Sequence, residues 1–277
     1  MSGARPHAAA GSPALGVGAC AALACIWEAT APKPGNVYRG ADFEDLTYAD
    51  FLTSAAVIGP VLEQTSERGI GETVLEAVRR TRAAVETNTN LGMILLLAPL
   101  SAVPSQEPLA RGIGPVLESL ARQDAEHVFE AIRVAQPGGL GQVEEADVHD
   151  TAPVQVSLTD AMQLAAARDL IALQYTNKFA QVFHVADCIE ASCRGDLSLS
   201  SAIVYAYLRL LADHPDSLVA RKCGEPVAQD VSQQSAAVLA AGDPSTETYD
   251  RAVRDFDFAL RVDGHRRNPG TSADLIA

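Results

Sequence analysis

The first residues whose types and spacing could do chemistry lie between Glu28 and Asn36, in the stretch E-A-T-A-P-K-P-G-N. Two prolines flank Lys33 and favour extended backbone on either side of it. Gly35 then allows a turn, or the close approach of a ligand, where a Cβ would interfere. The stretch therefore predicts a stiff loop that presents one cation between a helical carboxylate and a polar tip. An ordinary loop that ends a helix, with a lysine on the surface, would have the same composition.

A group of carboxylates follows this loop, at Asp42, Glu44 and Asp45. Thr47 comes next and predicts a helix start, because Asp50 three residues later completes a capping box. Carboxylates just ahead of a helix start can compensate the helix dipole. They are also the hard oxygen ligands that Mg²⁺ prefers. The sequence leaves both interpretations open.

A third polar segment, T-N-T-N-L-G-M at Thr87 to Met93, leads directly into an apolar run. Four consecutive residues of the N-capping type are more than one helix start requires. With the free N–H groups behind them, Asn88 and Asn90 are typical of a phosphate or ribose site. Gly92 would let a ligand or a neighbouring helix come close. A generously capped core helix is the alternative.

Two late segments have the same character. In H-P-D-S-L-V-A-R-K-C-G, Asp216 is expected to cap a short helix that carries Arg221 and Lys222. In the last segment, which begins at Arg266, Pro-Gly precedes a second predicted capping box of Thr271 and Asp274. Ends of helices in a bundle can converge on one mouth, where N–H groups, cations and carboxylates suit a polyphosphate with its metal. The segments expected to converge there are 28–45, 87–93, 214–224 and 266–274.

Composition and charge narrow the function. The net charge of the 277 residues is −14, and a field of that sign disfavours nucleic acid as a partner. The five cysteines are odd in number and none has C-x-x-C spacing, so neither a disulfide framework nor a zinc site is indicated. Only 5% of the residues are aromatic, and alanine and leucine dominate the apolar set, which favours helices over strands.

The pattern along the chain predicts an all-α protein of about ten to twelve helices, because no stretch alternates over the length of a strand. Residues 1–13 are expected to be a disordered tail, and residues 14–277 one helical domain. Pro104 to Gly114 is predicted to be a linker. No apolar run reaches the length of a membrane span and no signal peptide is evident, so we expect a cytoplasmic protein.

Taken together, the four segments resemble those of the triphosphoribosyl-dephospho-CoA synthase family. Their order and approximate spacing also match, over about residues 15–277. The segments that carry the resemblance are E-A-T-A-P-K-P-G-N-V, T-N-T-N-L-G, H-P-D-S-L-V-A-R-K-C-G and N-P-G-T-S-A-D-L. The combination is specific, although no single segment is.

The resemblance implies an all-helical enzyme that takes ATP and 3′-dephospho-CoA and releases adenine, giving 2′-(5″-triphosphoribosyl)-3′-dephospho-CoA. It also implies Mg²⁺ and small-molecule partners, and it allows a homo-oligomer. The residues implied in ATP or phosphate binding are Lys33, Gly35, Asn36, Asn88, Asn90, Arg221, Lys222 and Arg266. Those implied in catalysis are Glu28 and Asp45, and those implied in metal binding are Asp42, Asp45 and Asp274.

The chain departs from the family pattern in its central segment, where Asn90 and Leu91 stand in place of histidine and lysine. Losing a cation from a phosphate site is not conservative. In this respect the chain is similar to a branch associated with tetrahydromethanopterin-type C1 carriers. Two alternatives therefore accompany transfer to dephospho-CoA. One is ribosyl transfer to another acceptor in the biosynthesis of such a cofactor, and the other is a non-catalytic helical protein that binds a nucleotide.

Overall fold

The structure is a computed structural model that describes residues 15–136 and 156–277. Within those ranges it contains fifteen α-helices and no β-strand, which confirms the all-α prediction. Thirteen of these helices have at least seven residues. The predicted N-terminal tail lies outside the described residues. The helices are α1 Val17–Thr30, α2 Tyr48–Leu62, α3 Thr65–Arg68, α4 Ile70–Val85, α5 Leu91–Ser101, α6 Leu109–Glu118, α7 Arg122–Ala135, α8 Leu158–Ala165, α9 Leu170–Asn177, α10 Ala180–Arg194, α11 Leu199–Asp213, α12 Ser217–Cys223, α13 Glu225–Ala240, α14 Glu247–Arg261 and α15 Gly270–Asp274.

Two of the predicted helix starts are confirmed and two other local predictions are wrong. Thr47 and Asp50 form the expected capping box of α2, and Asp216 caps α12. The predicted linker at 104–114 is partly helical, because α6 begins directly after Pro108, a residue that suits a helix start. The second capping box is absent, because α15 already begins at Gly270 and a distant carboxylate binds its first turn instead.

The buried apolar residues of these helices form a hydrophobic cluster, and α5 lies within it. Eight of the eleven residues of α5 are buried, as expected for a helix that is apolar on all sides. Since α5 is fixed by packing along most of its length, its N-terminal end is held in place as well. That end belongs to the central polar segment.

Hydrogen bonds hold the Pro-rich loop against α11 and α14. The hydroxyl of Tyr207 donates to the Pro34 carbonyl at 2.9 Å, and the Gly35 N–H donates to Asp257 Oδ1 at 2.7 Å. Gly35 has a φ of 76°, and a Cβ there would lie 2.7 Å from Leu260 Cδ1. Glycine is therefore required for the turn and for contact with α14.

Among the helices in the described part of the chain, none combines the length and the apolar character needed to cross a membrane.

Candidate active site

A cavity of about 590 Å³ opens where the ends of several helices meet. This volume is within the range of small-molecule binding sites, roughly 300–1,000 Å³. All four segments singled out in the sequence contribute to its walls, so the predicted convergence of helix ends is found in the structure. The ends of α7, α8 and α9 complete it.

The structure brings most of the predicted site residues to this cavity and leaves the others away from it. Those that line it are Glu28, Asn36, Asp45, Asn88, Asn90, Arg221, Lys222 and Asp274. Those that do not are Lys33, Gly35, Asp42 and Arg266. Each of these four has an identifiable reason.

The expectation that Lys33 is presented to a ligand is wrong. Its side chain is fully buried, and Nζ lies 2.9 Å from Glu28 Oε1. The same ammonium donates to the backbone carbonyl of Glu28 and, at 3.5 Å, to that of Ala31. Lys33, between the two prolines, therefore points inward. Its charge neutralises the buried Glu28 carboxylate, and its ammonium binds backbone carbonyls at the C-terminal end of α1.

The other three residues have local structural roles or point away. Asp42 accepts a hydrogen bond from the Tyr48 N–H at 2.7 Å, so the helix-start interpretation of this carboxylate holds. Gly35 binds α14 as described above. Arg266 is exposed outside the cavity, and its backbone carbonyl accepts a hydrogen bond from Cys223 Sγ at 3.4 Å.

Glu28 is itself a wall of the cavity, with 3% of its surface exposed. One carboxylate oxygen, Oε1, is held by Lys33, whereas Oε2 has no hydrogen-bond partner. Burial raises the pKa of Glu28, and the Lys33 ammonium opposes this shift. The site therefore contains a buried carboxylate with one free acceptor oxygen.

The N-terminal end of α5 forms another polar part of the wall. Asn88 Oδ1 accepts a hydrogen bond from the Leu91 N–H at 3.1 Å, so Asn88 supplies the cap. Asn90 is 4% exposed, and its Nδ2 has no hydrogen-bond partner. A Cβ on Gly92 would lie 2.1 Å from Asp274 Oδ2. The close approach predicted for Gly92 is therefore made by the carboxylate of Asp274.

Asp274 lies among other acids, and these acids affect the pKa of its carboxyl group. Burial raises the pKa of Asp274 well above its ordinary value, and Glu28, Asp216 and Asp169 raise it further. Arg221 opposes this shift. Asp274 thus lies within electrostatic range of both Glu28 and Arg221.

Asp216 joins α12 to α15 from a fully buried position that the sequence did not reveal. Its Oδ1 accepts from the N–H groups of Leu218 and Val219 at 2.8 and 2.9 Å. Its Oδ2 accepts from the N–H and hydroxyl of Ser272 at 2.6 and 2.8 Å. One carboxylate therefore fixes the helix that carries the cations relative to the segment that carries Asp274.

Two of the cations that line the cavity, Arg221 and Lys222, lie on α12. Arg221 Nη1 contacts Asp169 Oδ2 at 2.5 Å, and Asp169 also caps α9. Lys222 lies beside it, and no ion pair to this residue is found among the described residues. Burial lowers the pKa of the Lys222 ammonium. Cys223, Asp216 and Asp45 oppose this shift. A partly desolvated cation of this kind favours binding of an anion.

Two further arginines and a histidine stand at the edge of the cavity. Arg168 and Arg82 both line it, from the start of α9 and the end of α4. His265 Nδ1 lies 3.7 Å from Asp45 Oδ1, and its ring packs at 4.9 Å against Phe43. Arg168 and Asp169 were not predicted to belong to the site from the sequence. Their place at the site depends on a contact with a segment about fifty residues away.

The remaining wall is apolar and was not predicted. It is formed by residues of α7 and α8, among them Phe129, Ile132, Met162 and Leu164. In the sequence these residues look like ordinary core positions of amphipathic helices. The cavity therefore combines a polar half, made by helix ends, with an apolar half.

The described residues contain no group of three His, Cys, Asp or Glu side chains that could hold a metal ion. Mg²⁺ in nucleotide sites usually takes only one or two carboxylates and completes its shell with phosphates and water. Asp274 and Asp45 line the cavity and fit that smaller donor set. Asp42 does not, because it caps α2 outside the cavity.

Comparison with known proteins identifies the family of this chain. The family model CitG, ATP:dephospho-CoA triphosphoribosyl transferase, matches residues 14–277. A crystal structure from Archaeoglobus fulgidus, of a protein assigned as a triphosphoribosyl-dephospho-CoA synthase, superposes with a TM-score of 0.63. The identity is 26% over 81% of this chain and 94% of that one. The comparison with curated proteins gives no match. The chain belongs to the ATP:dephospho-CoA triphosphoribosyl transferase family of enzymes.

Proposed function

We propose that this enzyme transfers the 5′-triphosphoribosyl group of ATP to the 2′-hydroxyl of 3′-dephospho-CoA and releases adenine. The observation that carries the proposal is the convergence of four separate segments on one cavity, in a chain that matches the family over residues 14–277. A cavity with a cationic helix, the polar N-terminal end of α5 and buried carboxylates suits a nucleotide triphosphate.

The triphosphate is assigned to the side of the cavity formed by α12 and the start of α9. Arg221 and Lys222 are there, and Arg168 stands at the rim. The guanidinium of Arg221 is already oriented by Asp169, so little side-chain freedom is lost when it binds a phosphate. The cations gathered here offset the −14 net charge of the chain locally.

In the reaction the C1′–N9 bond of ATP breaks and a bond forms between C1′ and the acceptor oxygen. The hydroxyl proton of the acceptor is balanced by the proton that adenine gains on leaving. As in glycoside cleavage, the transition state carries positive charge on the ribose, which a nearby carboxylate stabilises. Glu28 is suited to this task because it lines the cavity and one of its carboxylate oxygens has no hydrogen-bond partner. We assign the acceptor proton to Asp45, the more exposed carboxylate of the cavity.

Mg²⁺ bound with ATP would neutralise part of the triphosphate charge. Asp274 is the residue that would hold it, since Asp45 is assigned to the acceptor proton. The polar atoms of Asn36, in contrast, are already bonded to Tyr207, Pro34 and Asn268. We therefore assign Asn36 to the support of the loop and not to phosphate.

In the central segment, Asn90 and Leu91 stand in place of the histidine and lysine of the family pattern. This difference is the reason for considering a different acceptor. The cations on α12 supply positive charge from another wall, so the central segment need not contribute any. The family match names dephospho-CoA and gives no support to a C1-carrier acceptor.

The test is release of adenine, measured by chromatography, from ATP and Mg²⁺ with and without dephospho-CoA. Release that depends on dephospho-CoA is the expected result. Binding of ATP without turnover would overturn the proposal. Arg221→Gln and Lys222→Gln should each raise the KM for ATP by about tenfold or more, the value of one charge-assisted hydrogen bond. Arg251→Gln is the matched control, because Arg251 pairs with Glu247 on an exposed face of α14 and does not line the cavity.

A further inference from the structure

Two buried polar atoms of the cavity wall lack partners, and they have opposite hydrogen-bonding character. Glu28 Oε2 can only accept a hydrogen bond in the ionised carboxylate, whereas Asn90 Nδ2 can only donate one. The two residues are 3% and 4% exposed. Buried groups without a partner are rare in native structures, since each loses its hydration without compensation.

The position of these atoms in the molecule points to a ligand. In the described part of the chain, three other buried side-chain atoms lack a partner, and they belong to Arg68, Thr81 and Tyr249. None of those three residues lines the cavity, whereas Glu28 and Asn90 both do. A ligand in the cavity could therefore satisfy these two atoms together.

The chemistry of the pair restricts the ligand group. A phosphate would be repelled by the Glu28 carboxylate, and it could not donate to Oε2 when fully ionised. The ligand must offer a donor to Glu28 Oε2 and an acceptor to Asn90 Nδ2, and hydroxyl groups offer both. Lys33 contributes by holding Oε1, which fixes the direction of Oε2.

The pair and the proposed phosphate site line the same cavity, and α15 contacts both α5 and α12. The Asp274 carboxylate on α15 approaches Gly92, two residues after Asn90, and Asp216 joins α15 to the helix that carries the cations. In a nucleotide, the ribose is attached directly to the 5′-phosphate. If the triphosphate contacts α12, the ribose attached to it lies in the cavity that Glu28 and Asn90 also line.

We propose that Glu28 and Asn90 bind the ribose hydroxyls of the nucleotide donor, with Glu28 Oε2 accepting from one hydroxyl and Asn90 Nδ2 donating to a hydroxyl oxygen. This assignment rests on the proposed function. It makes both residues determinants of specificity for a ribonucleotide. It also brings the carboxylate close to C1′, where hydrogen bonds to the ribose strengthen as positive charge develops.

The experiment compares ATP with 2′-deoxy-ATP, 3′-deoxy-ATP and inosine triphosphate as donors, scoring release of the base with dephospho-CoA as acceptor. The wild-type enzyme should use at least one deoxynucleotide about ten- to a hundred-fold less efficiently than ATP in kcat/KM, because a buried polar atom is left unpaired. Asn90→Ala and Glu28→Gln should reduce that ratio to within about threefold. Thr81→Val is the control: it removes a buried unpartnered hydroxyl outside the cavity and should keep the wild-type ratio.

Equal use of ATP and both deoxynucleotides by the wild-type enzyme would overturn the assignment. So would full discrimination against the deoxynucleotides in Asn90→Ala, or a change confined to inosine triphosphate, which would place the pair against the base. If Glu28→Gln does not fold, the wild-type and Asn90→Ala comparisons still decide. Calorimetric binding of ATP and the deoxynucleotides without acceptor provides a separate readout: the same preference in binding would support the ribose assignment even if transfer to dephospho-CoA were absent.

Discussion

Gly92→Ala is expected to remove activity while leaving the fold intact. A Cβ at this position would lie 2.1 Å from Asp274 Oδ2 and 2.6 Å from its Cγ. The carboxylate must therefore retreat by about 1.3 Å, the difference between 2.1 Å and an ordinary contact of 3.4 Å. Asp274 is on α15 near the end of the chain, so its side chain can rotate without unpacking α5.

The substitution is expected to affect stability and activity differently. Alanine is favoured over glycine in a helix by up to about 1 kcal/mol, which offsets the local strain, and the melting temperature should stay within a few degrees of wild type. Misplacing a group at a reacting centre by about 1 Å reduces the rate by about a hundred-fold. We therefore expect kcat for adenine release to fall by roughly that factor.

Two further variants make this prediction specific. Gly114→Ala in α6 is the matched control, because the nearest atom to its Cβ is the flexible Lys178 Nζ at 3.4 Å, and it should keep full activity. Adding Gly92→Ala to Asp274→Ala should cost no further activity if the glycine acts only through Asp274. Wild-type kcat in Gly92→Ala, or additive losses in the double variant, would refute the reasoning.

The remaining predictions concern buried charges and are tested by urea unfolding. Lys33→Met should lower the free energy of unfolding by about 3–5 kcal/mol, because it leaves the Glu28 carboxylate buried and unpaired; an unchanged midpoint would show that Glu28 is relieved in another way. Asp216→Ala should lower the free energy of unfolding by at least about 2 kcal/mol, because backbone N–H groups of α12 and α15 lose their acceptor. A loss no larger than that of an exposed Asp243→Ala variant would contradict this. The pKa of Asp274 is raised, so the folded state holds this proton more tightly than the unfolded state does. The stability that results is present below about pH 3.9, the ordinary aspartate pKa. It is lost as the pH rises through the raised pKa of the folded state. Asp274→Asn should therefore gain stability relative to wild type between pH 4 and pH 8, and parallel pH profiles would count against this.

The sequence carried enough information for the fold class and for the parts of the site that depend on local structure. Alanine- and leucine-rich periodicity predicted helices, and short-range capping signals at Thr47 and Asp216 placed two helix starts correctly. The four polar segments were recognised because each contains more capping or charged residues than a helix end requires. Their convergence could be expected, because the ends of packed helices meet.

Contacts between distant segments could not be predicted in the same way. Lys33 looked like a presented cation, because a local pattern cannot show that a lysine turns inward onto the carboxylate five residues before it. The link from Asp216 to Ser272 and the pair of Arg221 with Asp169 join segments about fifty residues apart. The apolar wall from α7 and α8 was missed for a similar reason, since its residues have the same pattern as core residues.

The proposed transfer of a triphosphoribosyl group from ATP to dephospho-CoA is tested by mass spectrometry of the acceptor after incubation of the protein with ATP, Mg²⁺ and dephospho-CoA. Free adenine is measured in the same samples by chromatography. The proposed function predicts dephospho-CoA that carries one triphosphoribosyl group, formed in equal amount to the adenine released. Unmodified dephospho-CoA, or release of phosphate or pyrophosphate in place of adenine, would contradict it.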